Sequence, residues 1–315
     1  MLGKTAGGLT WMFRYLERAD NMARLVETGL RMALTRSGRT DEEWRSVLTT
    51  AGAEELYAAL GKEVDAASVI DFLLRDTNNP SSVLSCVASA RTNARLVRTA
   101  LTREVWEATN EFWMKANGAL AKPVKVADLP ELLRLIKSQA AQVRGTLHGS
   151  MLRNEIYNFA RIGSFIEQAD NTARIIDVKY YVLLPSHAYV GSSLDNVQWE
   201  NILRSVSAHQ AFRWLNPGPT QPKAIADFLI LDHRFPRSLA YCYQKLVGNL
   251  GYLANGAVAG QELESCELAQ DIYSKLRDSS IDQIFDVGLH EFLMEMLEQT
   301  SKLASCVERD FRFNQ

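Results

Sequence analysis

Apolar residues recur along the chain at three- and four-residue spacing. Leu16, Ala19, Ala23, Val26 and Leu30 fall on one stripe, and Ile166, Ala169, Ala173 and Ile176 repeat it further on, which is the period of a helix with one buried face. No stretch alternates apolar and polar residues as a half-buried strand does, so the pattern predicts an all-α chain. Prolines fall between the stripes, at Asn79-Pro80, Lys122-Pro123, Leu184-Pro185, Asn216-Pro217-Gly218-Pro219 and Phe235-Pro236, and mark helix ends. Asp128-Leu129-Pro130-Glu131 reads as an N-cap before a helix-initiating proline, opening a long helix towards Leu147.

The pattern also repeats on a larger scale. Phe13 to Glu27, FRYLERADNMARLVE, aligns without a gap on Gly163 to Asp177, GSFIEQADNTARIID, at an offset of 150 residues. Asp71 to Cys86, DFLLRDTNNPSSVLSC, aligns on Asp227 to Cys242, DFLILDHRFPRSLAYC, at an offset of 156 with seven identities in sixteen positions, where chance gives about one. Trp44-Arg45-Ser46-Val47-Leu48 and Trp199-Glu200-Asn201-Ile202-Leu203 lie between them at an offset of 155. Three landmarks in one order predict a helical bundle of two tandem degenerate repeats, 1–150 and 151–315, meeting across a pseudo-two-fold axis as one unit. No Gly/Ser-rich tether separates them.

On a helix, Glu17, Asp20, Asn21, Arg24 and Glu27 lie close to one line, and the second copy supplies Glu167, Asp170, Asn171, Arg174 and Asp177. Two readings stand. An exposed stripe is worth at most about 1 kcal/mol per pair, little reason for both copies to keep it while the sequence between them drifted. A buried network keeps its members, because removing one strands a charge at a cost on the order of 3–5 kcal/mol.

Arg91, Arg95 and Arg98 share a helix face beside Asn93, and the corresponding stretch of the second half keeps Asn249 without the arginines. They call for partners elsewhere: carboxylates of the motif helices, which is the simpler reading, or an anion such as phosphate or a peptide carboxylate. Arg234 and Arg237 flank Phe235-Pro236 where the first half has Asn78 and Ser81 around Asn79-Pro80. Each proline most simply starts a helix, with Ser82 or Ser238 in a first turn whose N–H groups favour anions.

With 315 residues, 47% hydrophobic and 23% charged, the chain is long and apolar enough for a substantial core. A net charge of −2 provides no global field for nucleic acid or an anionic membrane. Cys86, Cys242, Cys266 and Cys306 form no CxxC and read as buried free thiols. None of His148, His187, His209, His233 and His290 follows a Glu-x-x-His pattern, so no di-metal site is expected, and the absence of phosphate-loop, dinucleotide and nucleophile-elbow motifs leaves no cofactor to name. The start of the chain has no export signal, and no apolar run approaches the roughly 20 residues that span a bilayer, which predicts a cytoplasmic protein without a membrane anchor. The six tryptophans read as packing residues and His148 as a hydrogen-bonded structural histidine.

Leu9-x-Trp11-x-x-Arg14-Tyr15-Leu16-Glu17-Arg18-Ala19 resembles the opening of the bacterial alpha-E domain proteins. Ala90-Arg91-x-Asn93-Ala94-Arg95-x-x-Arg98, Trp106-Glu107-x-x-Asn110, Met151-x-Arg153, Asp227-Phe228-Leu229 and Phe235-Pro236-Arg237-Ser238 extend the resemblance over essentially the whole chain. The chain departs from the family pattern with Gln168 after Glu167, where Glu-Arg is usual, and with Gly7-Gly8 near its start. The resemblance implies a helical fold and association, by gene neighbourhood or fusion, with a circularly permuted ATP-grasp ligase and a transglutaminase-like protease. That association places the chain in a system that makes or modifies peptides by ATP-dependent amide ligation, and with no recognised catalytic group the first expectation is an accessory or scaffold role, with an anionic peptide or activated carboxylate held by Arg91, Arg95, Arg98 and the Glu17/Arg18 face. The alternative is an enzyme of unfamiliar type that acts on an acidic or phosphorylated peptide in a Glu/Arg-lined pocket. The candidate site is Glu17, Arg18, Asp20, Arg24, Arg91, Asn93, Arg95, Arg98, Arg153, Glu167, Asp170, Arg174 and Arg237.

Overall fold

The computed structural model describes residues 1–35, 40–181, 193–218, 221–255 and 263–314; Pro185, His187 and Pro219 lie outside them. Among the described residues every regular element is a helix: α1 (Gly3–Thr35), α2 (Thr40–Thr50), α3 (Glu54–Ala58), α4 (Ala66–Leu74), α5 (Val83–Leu96), α6 (Arg103–Ala119), α7 (Leu129–Ser150), α8 (Glu155–Tyr181), α9 (Ser193–Ser205), α10 (His209–Leu215), α11 (Pro222–Ile230), α12 (Leu239–Asn255), α13 (Glu264–Asp278), α14 (Ile281–Val287) and α15 (Leu289–Asp310), with two short 3-10 turns.

The two motif helices, α1 and α8, form the centre of the bundle. They pack on each other, α1 also on α5 and α7, and α8 on α12 and α15. Both apolar stripes are buried apart from Leu30, which is half-buried at the rim. The α1–α8 approach depends on a missing side chain: a Cβ on Gly163 would stand 2.1 Å from the Thr10 carbonyl oxygen. Gly7 and Gly8 let other neighbours approach α1. A Cβ on Gly8 would meet Val97 Cγ1 at 2.6 Å, and one on Gly7 would press on Phe313 at 3.0 Å. Close packing, rather than a flexible helix start, accounts for this pair.

The segments joining α4 to α5 and α11 to α12 have the same turn. Asp76 Oδ1 accepts from Asn78 N–H at 2.9 Å, and Asp232 Oδ1 from Arg234 N–H at 2.8 Å. Ser82 Oγ then accepts from Ser85 N–H at 3.2 Å, and Ser238 Oγ from Tyr241 N–H at 3.1 Å, each capping the helix that follows. Pro80 and Pro236 therefore sit inside the turn and the serines, not the prolines, start the helices. Asp128 precedes α7 without a side-chain capping bond, while Pro130 occupies its first turn as expected. Trp44 and Trp199 are buried, but Trp214 is 75% exposed and is no packing residue. Cys86, Cys242 and Cys306 are buried and unpaired, and Cys266 is half-buried; burial pushes the Cys86 and Cys242 thiols up to about 12. No helix of the described residues is long and apolar enough to cross a membrane.

Candidate functional site

The inner members of the charged motif are buried, and Arg24, Glu27, Asp170, Arg174 and Asp177 are half-buried. Glu17, Asp20 and Asn21 are at most 3% exposed, and Glu167 is 5% exposed. Their partners divide into two centres on either side of α1.

In the first centre, Arg144 of α7 donates to Glu17 Oε1 at 3.1 Å and approaches Asp20 Oδ2 at 3.3 Å. Arg237, from the turn before α12, donates to Asn21 Oδ1 at 3.1 Å, Asp20 Oδ2 at 2.9 Å and Glu17 Oε2 at 3.4 Å. Arg24 stands 3.2 Å from Asp20 and donates to Ser207 Oγ. Thr172 of α8 fixes the turn by donating to the Arg237 carbonyl at 2.8 Å. Burial raises the Asp20 carboxyl, but Arg24, Arg237 and Arg144 overcome it and hold the group below its ordinary range.

The second centre crosses between the motif helices. Arg18 makes a two-pronged contact with Glu167, Nε to Oε1 at 2.6 Å and Nη2 to Oε2 at 3.0 Å, and Arg14 Nε adds a bond to Oε2 at 3.1 Å. Burial of Glu167 is opposed by these two guanidiniums, which keep its carboxyl below the usual range. Arg174 pairs with Asp170 at 2.8 Å along α8. Beyond the centres the motif lines continue into Lys137–Glu27 at 2.7 Å and His290–Asp177 at 2.5 Å.

A cavity of about 220 Å³ opens beside the second centre. Arg18, Asn21, Glu167, Asp170, Asn171 and Arg174 form its polar walls, closed by Ser81 and by Thr50, Ala51 and Gly52 at the end of α2. Gly52, at φ +63°, ends α2 with the bonds Gly52 N–H to Thr49 O and Ala53 N–H to Leu48 O, a Schellman motif that requires a left-handed residue. Arg174 Nη1 would stand 3.3 Å from a Cβ there. Asn21 Nδ2 is buried without a hydrogen-bond acceptor among the described residues, although Asn21 Oδ1 is engaged by Arg237. The bonds of Arg18 and Arg174 to the carboxylates run through Nε and Nη2, so the Nη1 donors of both are left over. The walls thus combine free arginine donors with the acceptors of Glu167, Asp170 and Asn171.

The structure thus gathers Glu17, Arg18, Asp20, Arg24, Glu167, Asp170, Arg174 and Arg237 at α1 and α8. It does not bring Arg91, Asn93, Arg95, Arg98 or Arg153 to them. Arg91 stacks on Trp113 with its guanidinium 4.0 Å from the ring centroid and donates to Asn110 at 2.8 Å, and Arg98 lies 5.5 Å over Trp106. Tryptophan faces of α6, rather than carboxylates, are their partners. Arg95 is exposed. Asn93 donates to the Ser89 carbonyl and lines a separate cavity of about 430 Å³ with Lys4, Trp11 and Glu308. Arg153 is exposed between α7 and α8, and Tyr252 Oη donates to its carbonyl. His148 Nδ1 lies 2.8 Å from Tyr157 Oη, the structural role expected.

Three residues of the site, Arg14, Arg144 and Ser81, are not in the candidate set read from the sequence. Arg14 precedes Arg18 by one helical turn, which could have placed it on the same face. Arg144 lies on the polar side of α7 with nothing to name its partner. Ser81 is visible only by contrast with Arg237.

The family model Alpha-E, described as a predicted alpha-helical domain with a conserved ER motif, matches residues 1–311. Uncharacterized proteins of Mycobacterium bovis (strain ATCC BAA-935 / AF2122/97) and Mycobacterium tuberculosis (strain CDC 1551 / Oshkosh) are each 23% identical over 310 residues, covering 92% of this chain and 34% of the relative. The chain therefore spans about a third of the length of these curated relatives. No solved structure matches it. With the match running over nearly its full length, the chain belongs to the Alpha-E family.

Proposed function

We propose that the protein is a binding component, not a catalyst, of an ATP-grasp-dependent system that makes or modifies peptides in the cytoplasm, and that it holds a carboxylate or phosphate group in the cavity beside Arg18 and Arg174. The observation that carries this reading is that two arginines at that cavity, Arg18 and Arg174, each keep an Nη1 donor that the carboxylates do not engage. An anion's oxygens are acceptors for these donors. The carboxylates nearby suit binding better than proton transfer, because Glu167, held low by its arginines, carries no proton to give near neutral pH.

The ligase enters through the resemblance of the sequence to alpha-E proteins, and the transglutaminase-like protein likewise. Duplication of an ancestral helical unit, with residues 1–150 and 151–315 as its copies, explains why one turn recurs before α5 and before α12. Size-exclusion chromatography with light scattering on this protein mixed with the neighbouring ATP-grasp protein, with and without ATP, tests the accessory role. A joint peak is expected; two separate peaks together with unchanged ligase turnover contradict it.

A further inference from the structure

The two charge centres differ at one position in a way that indicates what the cavity takes besides an anion. Arg237 and Ser81 occupy the same place in the two recurring turns, three residues after Arg234 and Asn78, and one before the capping Ser238 and Ser82. In the first centre the Arg237 guanidinium fills the space between Asn21 Oδ1, Glu17 and Asp20. An offset of 150 takes those acceptors to Asn171, Glu167 and Asp170, and all three line the cavity together with Ser81. The cavity is where an arginine side chain from position 81 would end.

Existing arginine partners do not close such a slot. Asp20 Oδ2 lies within 3.3 Å of Arg24, Arg144 and Arg237 at once, so a carboxylate with arginines already beside it accepts another guanidinium. Thr50, Ala51 and Gly52 bring the C-terminal end of α2 to the same cavity, and the partial negative charge of a helix C-terminus favours a cation.

We propose that the cavity binds a small guanidino acid: its guanidinium takes the place that Arg237 fills in the other centre, against Glu167, Asp170 and Asn171, and its carboxylate faces the spare donors of Arg18 and Arg174. This rests on the anion-holding reading above and adds the cationic half of the ligand.

Isothermal titration calorimetry of the full chain with acetate, methylguanidinium and guanidinoacetate tests it. Guanidinoacetate binds at least about tenfold more tightly than acetate, since a charge-assisted hydrogen bond contributes about 1.5–3 kcal/mol. Ser81→Arg, which places a guanidinium in the slot covalently, abolishes methylguanidinium binding and reduces guanidinoacetate to the affinity of acetate. If that variant does not fold, Asp170→Asn provides the second arm and weakens guanidinoacetate more than acetate. Guanidinoacetate binding no more tightly than acetate, where acetate does bind, overturns the guanidino assignment and leaves the anion reading intact. Absence of binding by all three probes overturns both.

Discussion

Glu17 and Arg18 are adjacent in the chain and serve different charge centres, because successive positions on a helix point about 100° apart. Glu17 faces Arg144 and Arg237, while Arg18 faces α8 and Glu167. The pair acts as a hinge pin between α7, α8 and the turn before α12. Replacing Glu17 by Gln leaves Arg144 and Arg237 short of a buried counter-charge, and equilibrium urea unfolding is expected to show a loss of about 3–5 kcal/mol. The exposed Arg103–Glu107 pair is the control, and Arg103→Ala should leave the midpoint unchanged within error.

The same residues give the protein an acid limit. Asp20 and Glu167 have folded-state values below the ordinary carboxylate range, so as pH falls the unfolded chain takes up protons before the folded one does. Their contribution is fully present above the unfolded values near 4 and is lost below them. Urea midpoints measured from pH 7 down to pH 3 should fall most steeply under about pH 4, and Glu167→Gln should flatten that fall. A midpoint that is constant across the window contradicts the buried pairing.

Spacing places Glu17, Asp20, Glu167 and Asp170 on two lines and makes burial one of two readings. It cannot name Arg144, because which distant cation meets a buried carboxylate is decided by how helices pack and not by local pattern. The arginines of α5 show the converse: Arg91 and Arg98 do share a cationic face, but the aromatic rings of the neighbouring helix satisfy it.

At the scale of elements, α1 and α8 can cross closely only because Gly163 lacks a side chain. Gly163→Ala drives a methyl into the Thr10 carbonyl and parts the helices that hold Arg14 and Arg18 against Glu167. Such overpacking costs about 1–3 kcal/mol, and thermal unfolding should show a lowered midpoint together with weaker anion binding. A Gly163→Ala protein as stable as wild type would mean that the α1–α8 contact is looser than described. Helix positions were legible from periodicity, since a 3.6-residue stripe has one structural solution in water. The turns were less so: Pro80 and Pro236 look like helix starters, yet the helices begin at the hydroxyl caps Ser82 and Ser238, whose bonds satisfy N–H groups that a proline two residues earlier cannot reach.

For the whole molecule, the all-α class and the family follow directly from pattern and motif, whereas the cavity does not, because it is made by four elements separated in sequence: α1, the end of α2, the turn before α5 and α8. Its ligand is the central claim. The most direct test is the thermal midpoint of wild type and Arg174→Ala in rising acetate at fixed ionic strength. The wild type should gain about 2 °C at ten times the dissociation constant and approach the logarithmic dependence of a single site, and Arg174→Ala should show no gain. Equal responses in the two proteins, or none in either, would contradict an anion site between Arg18 and Arg174.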